Sequence, residues 1–164
     1  MKRIGIISDT HGFWDEKLSD FLNDCHEIWH AGDIGNLSTA NTIATFKPLR
    51  AVHGNIDDSK IRGIYPKILR FNCEDVDVLI THIGGSPGKY DKEILPIIKN
   101  QPPALFICGH SHILKVIYDK QFDFLFINPG AAGSSGFHNL RTAIRLTIDG
   151  NGFSDMEILE IPRD

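Results

Sequence analysis

Arg3-Ile4-Gly5-Ile6-Ile7-Ser8-Asp9-Thr10-His11-Gly12 begins as a β-type apolar run and breaks at once into Asp-x-His-Gly. Ile4, Ile6 and Ile7 predict a buried strand over residues 3–8. The stretch that follows changes period. Trp14, Leu18, Phe21, Leu22 and Cys25 keep helical spacing, with Asp15, Glu16 and Asp20 on the opposite side. Residues 27–31 read as a second strand. Residues 37–46 read as a second helix, capped by Asn36 or Ser38 and ended by Pro48, and residues 49–53 as a third strand. Strands alternating with helices imply parallel βαβ units, whose functional loops gather at the carboxyl ends of the strands.

The second half has another texture. Residues 68–72 and 76–82 are strand-like, the Gly84–Gly88 loop follows, and a helix is expected over about residues 91–99. Residues 105–108, 115–118, 122–127, 143–148 and 156–161 are strand-like runs separated by Gly, Asn, Asp and Pro turns. A parallel half joined to a mostly antiparallel half predicts an α/β chain of two sheets packed face to face, with helices outside. No repeat, low-complexity tract or Pro/Gly linker divides the chain, so residues 1–164 are expected to form one domain.

Composition excludes several function classes. Hydrophobic residues make up 41% and charged residues 23%, ordinary values for a globular protein. The net charge of −4 disfavours stable binding to nucleic acid, where Lys and Arg must neutralise phosphates. It leaves nucleotides open as substrates, because bound cations add charge that side-chain counts miss. Cys25, Cys73 and Cys108 lack paired spacing, so a reducing, cytoplasmic setting is expected. The N-terminal apolar run is too short for a signal peptide, and no segment approaches the roughly 20 apolar residues of a membrane span.

Five polar groups stand where apolar runs end. They are Asp9-Thr10-His11-Gly12, Gly32-Asp33, Gly54-Asn55-Ile56-Asp57, Thr81-His82 and Gly109-His110-Ser111-His112. Singly each reads as a turn, a cap or a hydrogen-bonded histidine; His-x-His in a glycine turn is the strongest of them. Leaving aside Asp57, they jointly supply two Asp, one Asn and four His at the carboxyl ends of strands. A mixed nitrogen and oxygen set suits Mn, Fe, Zn or Ni better than Ca or Mg. Seven ligands exceed the need of one tetrahedral ion and suffice for two that share a carboxylate.

The ordered series Asp-x-His, Gly-Asp, Gly-Asn-x-Asp, Thr-His and Gly-His-x-His resembles the calcineurin-like metallophosphoesterases, above all their small single-domain prokaryotic phosphodiesterase branch. The resemblance extends to the Asn128-Pro129-Gly130 turn. It implies a four-layer α-β-β-α sandwich with a dinuclear centre at one edge. Carried over residue by residue, it places Asp9, His11, Asp33 and His112 on one metal and Asp33, Asn55, His82 and His110 on the other, with Asp33 bridging. Two divalent transition-metal ions, Mn foremost, are the implied cofactors. The implied reaction is phosphodiester hydrolysis by a hydroxide held between the metals, with Asp33, Asn55 and His82 acting through it. The implied partner is a small phosphodiester or nucleotide-like molecule. The same centre serves phosphomonoesterases and nucleotidases, and one branch of the family, a retromer coat component, uses the fold as an interaction surface.

Two positions depart from the family pattern. Its larger enzymes carry His after the Gly-Asn, where it assists the departing oxygen; this chain has Ile56, which donates no proton. Many relatives carry a second His two positions after the equivalent of His82, and here that position is Gly84. Other residues invite plainer readings. His30, His53 and Asp57 are expected beside the ligands, at strand ends or in the core, and His26 at the surface. His138 and Arg141 follow the glycine-rich 128–136 loop; they could contact a phosphate, but a solvated loop is the plainer expectation. Cys108 reads as a small core residue. Phe122, Phe124 and Phe126 alternate, which marks a buried sheet face or an interface between copies of the chain. Substrate choice is expected to reside in loops 84–90 and 131–140.

Overall fold

The computed structural model describes residues 1–163. Its first sheet is built on β1 (Lys2–Ile7), β2 (Glu27–His30) and β3 (Leu49–Ala51), all parallel, and is extended by the antiparallel pair β11 (Leu140–Asp149) and β12 (Gly152–Pro162) in the order β12-β11-β1-β2-β3. The second sheet runs β4-β5-β8-β10-β9, from β4 (Ile68–Cys73), β5 (Val76–Thr81), β8 (Leu105–Ile107), β9 (Leu114–Asp119) and β10 (Phe124–Pro129). Its centre is parallel and its edges antiparallel.

Side-chain alternation explains the layering. In β1, Ile4 and Ile6 face the second sheet, where they meet Val78, Ile80, Leu105, Ile107 and Ile127 in a fully buried core. Ile7 faces the other way, onto α1 (Glu16–Leu22) and α2 (Leu37–Phe46) through Leu18, Leu22 and Ile43. Across the second sheet, Phe106, Phe124 and Phe126 turn outward onto α4 (Leu95–Asn100), where Ile94 and Ile98 cover them. The phenylalanine alternation is therefore a buried sheet face. Four layers result, α-β-β-α. Each such buried side chain contributes about 1.5–3 kcal/mol of transfer free energy. Gly5 lets α1 approach closely, since a Cβ there would lie 2.5 Å from Leu22 Cδ2.

The predicted elements stand with four differences. The chain does not divide into a parallel and an antiparallel half: its last two strands return to the first sheet, and β5, β8 and β10 run parallel. The helix α1 starts after Asp15, whose carboxylate accepts from the Leu18 N–H; Asn36 caps α2 in the same way. The helix expected over residues 91–99 spans only Leu95–Asn100, with Pro near its start. A short helix α3 (Ser59–Arg62) and a small hairpin of β6 (Gly85–Ser86) and β7 (Lys89–Tyr90) lack a periodic signal long enough to read. Among the described residues, no helix is long and apolar enough to cross a membrane.

Parallel strands point their carboxyl ends the same way, so the polar loops after β1, β2, β3, β5 and β8 converge on one edge. Backbone bonds lock these loops together. Asp9 and His11 donate to the carbonyls of Gly32 and Asp33, at 2.9 and 3.0 Å, and Gly109 donates to that of His82 at 2.9 Å.

Candidate metal centre

Asp9 and Asp33 lie at the bottom of the convergence, 0% and 3% exposed. Carboxylates buried this deeply need cations or donors. One oxygen of each is saturated: Asp9 Oδ2 accepts from the Ser8 hydroxyl at 2.6 Å and the His110 N–H at 3.1 Å, and Asp33 Oδ1 accepts from the Ile56 N–H at 3.1 Å. The other oxygens face imidazoles. Asp9 Oδ1 is 3.2 Å from His112 Nε2 and 3.5 Å from His11 Nε2. Asp33 Oδ2 is 3.4 Å from His11 Nε2 and 3.2 Å from His82 Nε2. Asp9 Oδ1, His11 Nε2 and His82 Nε2 are nonetheless buried without a hydrogen-bond partner.

Two groups emerge, Asp9–His11–His112 and Asp33–His82–His110, and within each the candidate ligand atoms all lie within 4.8 Å of one another. His110 Nδ1 and Asn55 Oδ1 are 3.1 Å apart, which brings the seventh predicted residue to the second group. His11, Asp33, Asn55, His110 and His112 line one cavity of about 480 Å³. Orphaned buried atoms on a mixed carboxylate, amide and imidazole set fit divalent transition metals.

The backbone is strained where these residues sit. Asp9, His11, Asp33, His110 and His112 all have positive φ, between 48° and 72°. Such conformations cost about 1–3 kcal/mol each and cluster at functional sites. Neighbouring glycines make the room: a Cβ on Gly54 would lie 2.0 Å from Asp33 Oδ1, and one on Gly109 2.0 Å from Ser8 Oγ.

Backbone carbonyls set the histidine tautomers, because a carbonyl can only accept. His82 Nδ1–H donates to Ala31 O at 2.7 Å, which leaves the Nε2 lone pair facing Asp33. At His112 the same result comes through a second ring. His138 Nε2–H donates to Gly133 O at 2.8 Å, so its Nδ1 accepts from His112 Nδ1–H at 3.1 Å. His112 Nε2 is thereby left bare toward Asp9.

Electrostatics point the same way. Burial raises the pKa of Asp9, but the imidazoles of His11 and His112 beside it, the charge of His82 and the Ser8 hydroxyl together hold it well below the usual carboxylate range. Asp33 is held low similarly, against its burial, by His11, His82 and the Ile56 N–H. The neighbouring carboxylates of Asp33 and then Asp9 lift His11 to about 9 despite its burial. Burial lowers His82, yet Asp33 and Asp9 raise it overall.

The flanking residues divide. Fully buried His30 bonds Thr10 Oγ1 through Nε2 at 2.9 Å and accepts the Gly32 N–H at Nδ1, and burial pushes it down to about 4. It ties two loops as a neutral strut. Asp57 accepts from the N–H groups of Ile34, Gly35 and Gly54 and ties the second loop to the third. His53 bonds Tyr65 O and lines a cavity of about 230 Å³ with Asn55 and His82. His26 is exposed and accepts the Arg3 N–H. Cys108 is buried, and burial pushes its thiol up to about 12, outside any nucleophilic role at neutral pH. Gly84 packs against it: a Cβ there would meet Cys108 Cβ at 2.7 Å and Phe106 Cζ at 2.8 Å, so a histidine has no room.

Two expectations are corrected. Arg141 is 5% exposed, pairs with Asp15 at 3.0 Å and stacks on Phe13, so it is structural and not solvated. His138 is half-buried, packed on His112 with both ring nitrogens engaged, while the loop residues around it are exposed. No motif flags it, and its position after a glycine-rich loop was the only available signal.

Comparison with known proteins bears on the family and the fold. Residues 1–151 match the Calcineurin-like phosphoesterase superfamily domain. A probable metallophosphoesterase of Methanothermobacter thermautotrophicus is 28% identical over 134 residues, covering 78% of this chain and 76% of that protein. Among solved structures, Entamoeba histolytica Vps29 complexed with zinc superposes with a TM-score of 0.75 at 16% identity, over 99% of both chains. A novel archaeal phosphodiesterase superposes with a TM-score of 0.69 at 21% identity, over 96% of this chain and 99% of that one. By its sequence match and its fold, the chain belongs to the calcineurin-like phosphoesterase superfamily.

Proposed function

We propose that the protein is a metal-dependent phosphodiesterase. Asp9, His11, Asp33 and His112 would hold one divalent ion, and Asp33, Asn55, His82 and His110 the other. The observation that carries this reading is the set of buried, unpartnered atoms, Asp9 Oδ1, His11 Nε2 and His82 Nε2, with the two imidazoles each facing both Asp9 Oδ1 and Asp33 Oδ2. When bound, two such ions supply Lewis acidity toward the phosphoryl oxygens and lower the pKa of water. Mn is the favoured metal, with Fe, Zn and Ni fitting the same donors.

The protein's own groups orient and exclude. Ser8 and the His110 N–H fix the Asp9 carboxylate, the Ile56 N–H fixes that of Asp33, and Ala31 O and His138 fix the tautomers of His82 and His112. Ile56 holds no proton, and the Ser111 hydroxyl, which accepts from Asn128 Nδ2 and the Ile113 N–H, is a far weaker acid than an imidazolium, so the departing oxygen would draw its proton from solvent. That favours leaving groups of low basicity. Support for a diester comes from the flanking space: cavities of about 660 and 230 Å³ border the ligand cluster at different candidate ligands, His110 for the first and Asn55 with His82 for the second, room for two ester arms.

Metal analysis combined with Mn-dependent hydrolysis of bis(p-nitrophenyl) phosphate and p-nitrophenyl phosphate tests the reading. Two ions per chain and at least about tenfold higher kcat/KM for the diester are expected, a difference of about 1.4 kcal/mol. A preference for the monoester would make the protein a phosphatase or nucleotidase. Turnover of neither would make it a binding protein of the same fold. Because His11 stands near 9 without metal, binding must also expel protons, so apparent metal affinity should rise with pH up to about 9. Calorimetric titrations in buffers of different ionisation enthalpy read that release.

His138 gives a sharper check on the first ion. His138→Phe removes the acceptor for His112 Nδ1–H, and metal affinity should fall about 10–100-fold, as measured by competition with a chromophoric chelator. His138→Gln keeps an acceptor and should recover part of the loss. Equal affinity in all three proteins would remove His138 from the site.

A further inference from the structure

The cavity beside the candidate centre is larger than the one that holds the ligands, about 660 Å³ against about 480 Å³. Of the seven candidate ligands only His110 borders it. Its walls include Ile83 and Ile113, each the residue directly after a candidate ligand, 41% and 64% exposed. Phe126 and Tyr90, both buried, also line it. The Tyr90 hydroxyl is committed to Asp119 Oδ2 at 2.5 Å, so the ring adds apolar surface and no free donor. Large aliphatic side chains at the mouth of so polar a site are unfavourable in water unless something covers them.

Charge supplies the second observation. Lys89, Lys92 and Lys115 line the same cavity, against one carboxylate, Asp91. The chain as a whole is net negative, so this local surplus runs against the global balance. Among the described residues none of the three lysines forms an ion pair; the nearby Lys67, by contrast, pairs with Glu93 at 2.6 Å. The wall that carries Lys89 is held in place. The hairpin of β6 and β7 is rooted at Gly84, pressed on Cys108 and Phe106, and pinned by the Tyr90–Asp119 bond.

We propose that this cavity is a subsite for one ester arm of the substrate, selective for an arm that joins a flat ring to a further negative charge. That is the chemistry of a nucleotide bearing a second phosphate. The inference rests on the phosphodiesterase reading and deepens it. A cavity of this volume lies within the range of small-ligand sites, and a methyl arm would leave it filled with water. The isoleucines cover the faces of a ring, while exposed ammonium groups attract a phosphate as mobile point charges, an attraction weakened by salt.

Three substrates with one leaving group separate the contributions: the p-nitrophenyl esters of methyl phosphate, thymidine 5′-phosphate and thymidine 3′,5′-bisphosphate. In the Mn-loaded protein kcat/KM should rise about tenfold from the methyl to the thymidine ester, the scale of an apolar group entering a fitted pocket. The added 3′-phosphate should give about threefold more at low salt, in line with exposed charge pairs, and this gain should vanish at high salt. Ile113→Asp should lower the thymidine-to-methyl ratio, and Lys89→Gln with Lys115→Gln should lower only the ratio between the two thymidine esters. Ratios within one protein cancel differences in folding and metal occupancy. A thymidine ester no better than the methyl ester, or ratios unmoved by these substitutions, would overturn the subsite while leaving the diesterase intact. Failure to hydrolyse any of the three esters, with p-nitrophenyl phosphate still turned over, would instead defeat the diesterase reading and the subsite with it.

Discussion

Asp33→Asn is expected to lower kcat/KM by at least about 10³-fold, or about 4 kcal/mol of transition-state stabilisation. Asp33 Oδ2 lies between the two candidate groups, 3.4 Å from His11 Nε2 and 3.2 Å from His82 Nε2, nearer to both than Asp9 Oδ1, which is 3.5 and 3.8 Å from the same atoms. An amide nitrogen or neutral oxygen there removes a negative charge that both ions would share. The other carboxylate oxygen accepts from the Ile56 N–H, a contact an Asn oxygen can keep, so the loop should hold its shape. Circular dichroism should therefore stay near that of the parent while metal analysis shows less than two ions per chain. Retention of full turnover and both ions would require a different bridging group.

Ile56→His is expected to act in the opposite direction, and selectively. Ile56 is 48% exposed and lines the cavity shared by His11, Asp33, Asn55, His110 and His112. A side chain at this position faces the ligands at no cost to the core. General acid catalysis contributes about 10²–10⁴-fold where geometry is good, and an unoptimised imidazole should recover part of that. The gain should be largest for alkyl phosphodiesters, whose departing oxygen is basic, and small for aryl esters. Rates against leaving-group pKa in both proteins, at equal metal occupancy, give the test: the slope should flatten in Ile56→His. An unchanged or steeper slope would show that more than an acid is absent from this position.

Much of the fold is legible in the chain because its determinants are local. The period-two isoleucines before Asp9, the helical spacing from Trp14 to Cys25 and the cap at Asn36 each act within a few residues. The candidate ligands are legible for a related reason. Parallel strands gather their carboxyl ends, so polar motifs ending apolar runs must meet, whatever the packing between them. Composition likewise marks Ile56 as a residue without a proton to give.

Other features depend on partners that no local pattern specifies. The return of β11 and β12 to the first sheet follows from pairing β1 with a strand some 140 residues later, as in Lys2 with Ile148. Arg141 is withdrawn from solvent by Asp15, 126 positions away, and His138 is drawn onto His112 across 26 positions. Asp57 becomes a loop tie only because Ile34 and Gly35 present their N–H groups to it. The large cavity between Ile83 and Ile113 exists only once β5 and β8 lie side by side. Residue type and spacing thus determine which chemistry the strand ends carry. The histidine tautomers, the carboxylate oxygens left free and the shape of the space beside them are set by hydrogen bonds and close packing between distant segments, which exist only when the chain is folded.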